Sequence, residues 1–327
     1  MIVCCGEALI DMVPVPVGEG PDRETGFLPC PGGSPYNTAL ALGRLGVPVR
    51  FLGQVSRDFF GERLIAGLRE NQVGTELILR SEAPSTLAFV RPGHEGQYLF
   101  YTQGTAGPSL TPADIPRSLP EETRCLLFGS IAMTMEPLAS AMESLIFREH
   151  TQARKQGREQ PLISLDPNIR PFMIPCREAY IHRFETWLKV VSILKLSAED
   201  LAYIYPDQDL NTALERVLTL GVRLVLLTQG SAGAGALLRR DQGEALRVHC
   251  PGFPVTLADT IAAGDTFHGA FLAWLCFHGL MSPSQVAALT GAELTEALGF
   301  ANKAASLVCT RHGANPPSRA ELAAFTG

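Results

Sequence analysis

Short, continuously apolar runs alternate with helical patterns along almost the whole chain, and that alternation limits the fold more than any other feature. Residues 2–6, 49–54, 124–128, 162–165, 190–194 and 223–227 predict strands. Several are apolar at nearly every position, as strands of a parallel sheet covered on both faces are. Helical periodicity fills the intervals, at 35–45, 58–71, 136–147, 211–220 and 266–277. The pattern predicts one α/β unit over residues 1–327, built on a doubly wound, mostly parallel sheet. Two segments break the rhythm. Residues 13–31 are rich in Pro and Gly, and 85–91 with 97–101 read as a hairpin turning at 92–96. Together, segments 12–31 and 84–105 predict a small β lid near the carboxyl edge of the sheet. Residues 150–160 hold no apolar side chain beyond Ala153 and predict a solvated connection.

Charge and cysteine usage narrow the function. With 27 Lys and Arg against 33 Asp and Glu, the net charge is −6, a poor match to a nucleic-acid partner. Only four lysines occur and none follows a glycine, so there is no Walker A loop. The eight cysteines include no C-x-x-C pair and read as reduced thiols. The strongest apolar run, residues 270–277, is too short to cross a bilayer, and residues 1–6 lack a leader's cationic start. The expectation is a soluble, cytoplasmic protein without a membrane partner. The seven histidines show no paired ligand spacing, and His268 reads as a packed helix residue.

The stretch from Asp259 through Ile261, Ala262, Ala263, Gly264 and Asp265 carries the most chemistry. Small residues let backbone N–H groups converge at the start of a helix, whose buried face is Phe267, Phe271, Trp274 and His278. Local chemistry leaves two uses for Asp265. It can cap the helix, or it can take a proton from a hydroxyl attacking a phosphate held by those amides.

This stretch resembles the C-terminal signature of the ribokinase-like (PfkB) family of sugar kinases. The run Gly32-Gly33-Ser34-Pro35-Tyr36-Asn37 resembles the family's first signature. The resemblance implies a ribokinase-like fold, with Asp265 as general base and the amides of Ala262 to Asp265 as an anion hole. It implies sugar contacts from Asp11, Gly32, Gly33 and Asn37. Thr228, Gly230 and Gly233 resemble the phosphate and ribose loop, and Lys195 with Ser197 resembles a fructokinase stretch facing ATP. Asn302 matches a residue beside the adenine. Glu199 or Asp200 would hold Mg²⁺ through water. A monovalent cation, usually K⁺, would lie near Asp259, Ile261, Cys309, Ala314 and Ser318. Family members often pair through their lids, which implies a homodimer.

The Asp166-Pro167-Asn168-Ile169-Arg170 segment is similar to one shared by fructokinases and 2-keto-3-deoxygluconate kinases, with Arg170 on the substrate. Acid-sugar kinases place an Arg after a lid tyrosine, whereas Gln103 follows Tyr101 here. An unpaired carboxylate would be expensive to bury, so a neutral ketohexose is expected, with Tyr101 and Gln103 facing it. ATP-dependent formation of fructose 6-phosphate is the leading expectation. The alternatives are a 2-keto-3-deoxygluconate kinase, a ribokinase or nucleoside kinase, or a sugar sensor without turnover. A nicotinamide enzyme is disfavoured, because Gly6-Glu7-Ala8-Leu9 stands where its glycine fingerprint would be.

Overall fold

The computed structural model describes residues 1–18, 24–92 and 98–325. The first half contains β1 (Ile2–Cys5), β2 (Leu9–Val17), β3 (Glu24–Gly32), α1 (Ser34–Arg44), β4 (Val49–Ser56), α2 (Phe59–Glu70) and β5 (Gly74–Ser81). There follow β6 (Leu87–Val90), β7 (Tyr98–Tyr101), β8 (Cys125–Gly129), α3 (Leu138–Lys155), β9 (Leu162–Asp166) and α4 (Arg177–Trp187). The second half adds β10 (Ile193–Ser197), α5 (Ala198–Ile204), α6 (Leu210–Thr219), β11 (Leu224–Thr228), β12 (Ala234–Leu238) and β13 (Leu246–Cys250). It closes with α7 (Ala263–Phe277), α8 (Pro283–Ala288), α9 (Gly291–Val308) and α10 (Arg319–Ala324).

Nine strands form the main sheet in the order β13-β12-β11-β10-β9-β8-β1-β4-β5. From β5 to β11 every pairing is parallel, and β12 and β13 add an antiparallel end. Strand alternation divides the interior into two cores. Ile2 and Cys4 face one core with Tyr36, Phe51, Phe267 and Phe271, while Val3 and Cys5 face another with Phe128, Phe184 and Trp187. Successive side chains point to opposite faces of a strand, so a sheet covered on both sides must be apolar at every position. The chain leaves β1 toward β4 on one side and returns to β8 on the other. That reversal opens a crevice at the carboxyl ends of the strands.

A second sheet, ordered β3-β2-β6-β7, stands apart from the first. Its β2–β3 ribbon falls in the Pro- and Gly-rich segment expected to form part of a β lid, with prolines at 14, 16, 29 and 31. Strand β6 pairs only with residues 10–12 of β2, and β3 is an edge. Missing N–H groups beyond those residues therefore forfeit no bond on the open side. The expected β6–β7 hairpin is present, although its turn and Gln97 lie outside the described residues, as do residues 19–23.

Two expectations fail locally. Helix α3 continues to Lys155, through half of the segment read as a solvated connection, because Ala153 is buried on its inner face. Strand β10 starts three residues later than expected. Val190 and Val191 instead turn out of α4, both donating to the Trp187 carbonyl. All eight cysteines are free. No helix among the described residues is long and apolar enough to cross a membrane.

Candidate active site

Helices α1 and α7 cross so closely that a Cβ on Gly269 would sit 3.0 Å from the Ala41 methyl carbon and 3.2 Å from the Thr38 carbonyl oxygen. Their N-terminal turns therefore meet at the mouth of the crevice. There Asp265 accepts a hydrogen bond from the Ser34 hydroxyl at 2.6 Å and one from Asn37 Nδ2 at 2.9 Å. Burial lifts the Asp265 carboxyl to about 6, against the two donors that favour its anion. Asn37 Oδ1 is buried without a hydrogen-bond partner, so an acceptor is left facing no protein donor. Ser34 was not among the expected site residues. Its signal was present, since Ser34 and Asn37 stand three apart on one helical face.

Behind this corner lies Glu7, which is also buried. Its two oxygens accept the backbone N–H groups of Ser34 and Ala132, each at 3.2 Å. Burial pushes its carboxyl up to about 8 against these amides and the Ser130 hydroxyl. Gly33 has φ +109, and a Cβ there would meet the Glu7 carbonyl oxygen at 2.8 Å. A Cβ on Gly32 would strike Asp11 Oδ2. The diglycine was expected to let a polyol approach the backbone. It also makes room for the protein's own residues, Asp11 and Glu7.

Asp11 carries no hydrogen bond among the described residues. Burial, followed by the nearby Asp265 charge, raises its carboxyl to about 7, and the Arg170 guanidinium opposes the rise. Arg170 itself is braced by Asn168 and the Ile169 carbonyl. The lid contributes a different tyrosine from the expected one. Tyr101 lies on the outer face against Phe89, 56% exposed. Tyr98 and Phe100 alternate to the opposite face, and the Phe100 cross-strand partner Ala88 is itself opposite Asp11. The Tyr98 hydroxyl is pushed up to about 12, first by burial and then by Asp11, so it faces the site. Gln103 is exposed in the turn after β7.

The anion hole forms at the start of α7. Ala262 precedes it at φ 61°, ψ 14°, a left-handed conformation that costs an Ala roughly 1–2 kcal/mol. The Ala263 N–H is already taken by the Thr260 carbonyl, which removes it from the expected set of donors. The amides of Ala262, Gly264 and Asp265 have no protein acceptor among the described residues. Lys195 lies directly behind them, its Nζ 2.9 Å from where a Gly264 Cβ would be. Its Nζ also pairs with Asp166 Oδ2 at 2.8 Å. Burial works against the ammonium charge, yet Asp166 and Asp200 outweigh it and hold the pKa above the usual value. Lys195 is thus a fixed cation under the hole. His268 is fully buried, with Nε2 2.6 Å from the Ser164 hydroxyl, and packs as expected.

On the nucleotide side the expected side chains are largely engaged in shaping backbone. Ser197 and Asp200 form a capping box at α5, and the Ile169 amide also donates to Asp200. Asp200 is buried with both oxygens bound by amides, so it does not fit a Mg²⁺ ligand, whereas Glu199 is exposed. Thr228 donates its hydroxyl proton to the Leu196 carbonyl. Gly230 and Gly233 take φ +57 and +97, and a Cβ on Gly233 would strike the Cys250 carbonyl oxygen. Asn302 donates to the Cys250 and Pro251 carbonyls, so it fastens the end of β13 rather than offering those protons to a base.

The expected monovalent-cation set is only partly available. Asp259 accepts the Ile261 and Gly313 amides and keeps open lone pairs, as does the Ile261 carbonyl. The Cys309 carbonyl already accepts two amides, and Ser318 caps α10 with Ala314 half-buried nearby in sequence. No cluster of three or more His, Cys, Asp or Glu side chains suited to a metal occurs among the described residues.

A carboxylate at an amide-lined helix start, with a fixed cation behind it, is an arrangement suited to phosphoryl transfer to a small molecule. The pfkB family carbohydrate kinase pattern matches residues 1–321, and the chain belongs to that family. It is 38% identical over 290 residues to a fructokinase of Rhizobium leguminosarum bv. trifolii, covering 88% of this chain and 84% of the relative. Its structure is similar to ATP-bound fructokinase from Xylella fastidiosa, with TM-score 0.85 and 28% identity over 98% of this chain and 96% of that one. It is also similar to fructokinase from Vibrio cholerae O395 bound to fructose, ADP and calcium. There the TM-score is 0.82, with 25% identity over 100% and 98% of the chains.

Proposed function

We propose that this chain transfers the terminal phosphoryl group of ATP to the primary hydroxyl of fructose, with Asp265 as general base. The observation that carries the reading is the Asp265 carboxylate, buried at the start of α7 and held by Ser34 and Asn37 beside free amides. Asp265 takes the hydroxyl proton as the new O–P bond forms and the bond to the leaving ADP breaks. The amides of Ala262, Gly264 and Asp265, with Lys195 behind them, stabilise charge developing on the phosphoryl oxygens. Asp11 offers a free carboxylate to two sugar hydroxyls, and Asn37 Oδ1 offers its unpartnered acceptor to a third. Tyr98 replaces Tyr101 as the lid's candidate contact. The Arg170 guanidinium lies near enough to Asp11 to favour its anion, and a cation with a carboxylate beside it supports a neutral sugar over an acid sugar. Exposed Glu199 is the residue that would hold Mg²⁺, through water, and the ion would supply neutralisation of phosphate charge.

Lid closure over the crevice fits the Phe100–Phe172 stack, which joins β7 to the turn after Arg170 at 5.8 Å. The lid's outer face, with Phe27 edge-on to Phe89 and Leu99 59% exposed, supports pairing with a second copy. Sedimentation of Leu99→Glu tests this: a dimeric parent becomes monomeric, and an unchanged mass removes the assignment. For the reaction, Asp265→Asn should cut sugar-dependent ADP formation about 10²–10⁴-fold. Fructose and ATP binding by calorimetry should stay within a few-fold. Unchanged turnover would overturn the role of Asp265. Higher kcat/KM for ribose, 2-keto-3-deoxygluconate or a nucleoside would overturn the choice of sugar.

A further inference from the structure

Asp265 has two protein donors, and they differ in what else they can do. Asn37 also carries an unpartnered carbonyl, so a sugar can share it. Every polar group of Ser34 is committed within the protein. Its hydroxyl donates to Asp265 Oδ1 at 2.6 Å, and its N–H to Glu7 Oε1 at 3.2 Å. Its carbonyl accepts the Thr38 hydroxyl at 3.0 Å. The residue is buried at the first turn of α1, and Glu7 joins that turn to the segment after β8 through Ala132.

We infer that Ser34 is a positioning residue for the phosphoryl transfer, fixed through its backbone by Glu7 and holding Asp265 Oδ1 as a hydrogen-bonded anion. The inference rests on Asp265 as general base. A hydrogen bond donated to a carboxylate favours the charged form and opposes the effect of burial. Removing it leaves the carboxyl desolvated with Asn37 as its single side-chain donor. The base then stays protonated to higher pH, where it cannot accept the hydroxyl proton.

Other charged groups around Asp265 are unaltered by a change at Ser34. Lys195 on β10 favours the anion, and Asp166 on β9 and Asp11 on β2 oppose it. Arg170 and Tyr98 face Asp11 across the crevice, and Asp259 lies near Tyr98. His268 lies on α7 itself, and burial, with Lys195 adding to it, keeps the ring neutral. Glu7 reaches Asp265 only through Ser34.

The test is the pH dependence of kcat/KM for fructose in the full-length enzyme, comparing wild type, Ser34→Ala, Ser34→Cys and Ser34→Thr, with Asp265→Asn as reference. A neutral donor to a charged acceptor corresponds to a shift of about one to two pH units. The acidic limb of Ser34→Ala should move upward by that amount. The alkaline plateau should fall less than tenfold, and the fructose Kd should stay within twofold. Ser34→Cys, a weak donor of similar size, should shift the same way and covers the case in which the Ala variant does not fold. Ser34→Thr keeps a hydroxyl and should return the limb to its wild-type position. A uniform fall at every pH with an unmoved limb overturns the inference, because it marks a packing role. A raised fructose Kd with an unmoved limb also overturns it, because Ser34 is then a sugar contact. If Asp265→Asn retains full turnover, the general-base role on which this inference rests fails. If Asp265→Asn collapses while the Ser34 limb stays in place, only this inference does.

Discussion

The two ends of the crevice are built differently. At the proposed sugar end, recognition is left to side chains: the Asp11 carboxylate has no hydrogen-bond donor among the described residues, and Asn37 keeps an unpartnered oxygen. At the nucleotide end, side chains of the right type hold backbone in place. Asn302 fastens the Cys250 and Pro251 carbonyls, Ser197 and Asp200 cap α5, and Thr228 binds a carbonyl. A sugar presents directional hydroxyls and needs individually aimed partners, whereas phosphates are bound well by amides and a fixed cation. Substitutions should therefore separate the two ends kinetically.

The widest separation is expected from Asp11→Asn. Loss of a charge-assisted acceptor should raise the fructose KM about 10²-fold and leave the ATP KM within twofold. Equal changes in both constants would show that the ends are not independent. At the other end, Asn302→Ala strips donors from two carbonyls and should destabilise the fold by about 1–3 kcal/mol. Denaturant unfolding would read that loss, while steady-state rates should show the ATP KM rising several-fold and the fructose KM unchanged. An altered fructose KM would blur the division.

Glu7 permits a test by pH. Its folded-state pKa of about 8 lies above the ordinary carboxylate value, so folding binds its proton. That stabilisation is complete below the unfolded pKa near 4.5 and is lost as pH rises through about 8. Melting temperature should fall between pH 5 and pH 9, and Glu7→Gln should flatten the slope. An identical slope would mean that other groups set it. The smallest effect is expected at Ala262, where Gly relieves the left-handed strain but adds freedom to the unfolded chain. The net gain should stay below about 1 kcal/mol with activity retained. A clear loss of activity would show that the strained alanine shapes the hole.

Much of the main sheet was legible because a strand buried on both faces has little choice but to be apolar. The lid was less so, since prolines on an open ribbon resemble a loop until the pairing is known. Asp265, Asn37 and Asp11 were singled out through their resemblance to family signatures, and the structure brings Asp265 and Asn37 into contact. Tyr98 was not, because alternation along β7 shows that Tyr98 and Phe100 share a face but not which face meets Asp11. That depends on the register through β6, a relation between distant segments. Ser197, Asp200 and Asn302 were read from resemblance to family stretches, and a local motif does not show that neighbouring backbone has already claimed them. Val190 and Val191 show the same limit: apolar character marks burial, and both chain turns and strands can be buried.

The near-touch of α1 and α7 at Gly269 makes that glycine the fulcrum of the reaction centre. Pivoting there, a small tilt of either rod would swing its tip, and the tips carry the base and both of its donors. Even a single methyl at this spot would press on the Ala41 methyl and the Thr38 carbonyl, so a change one turn below the chemistry would be felt at the tips as a few tenths of an ångström.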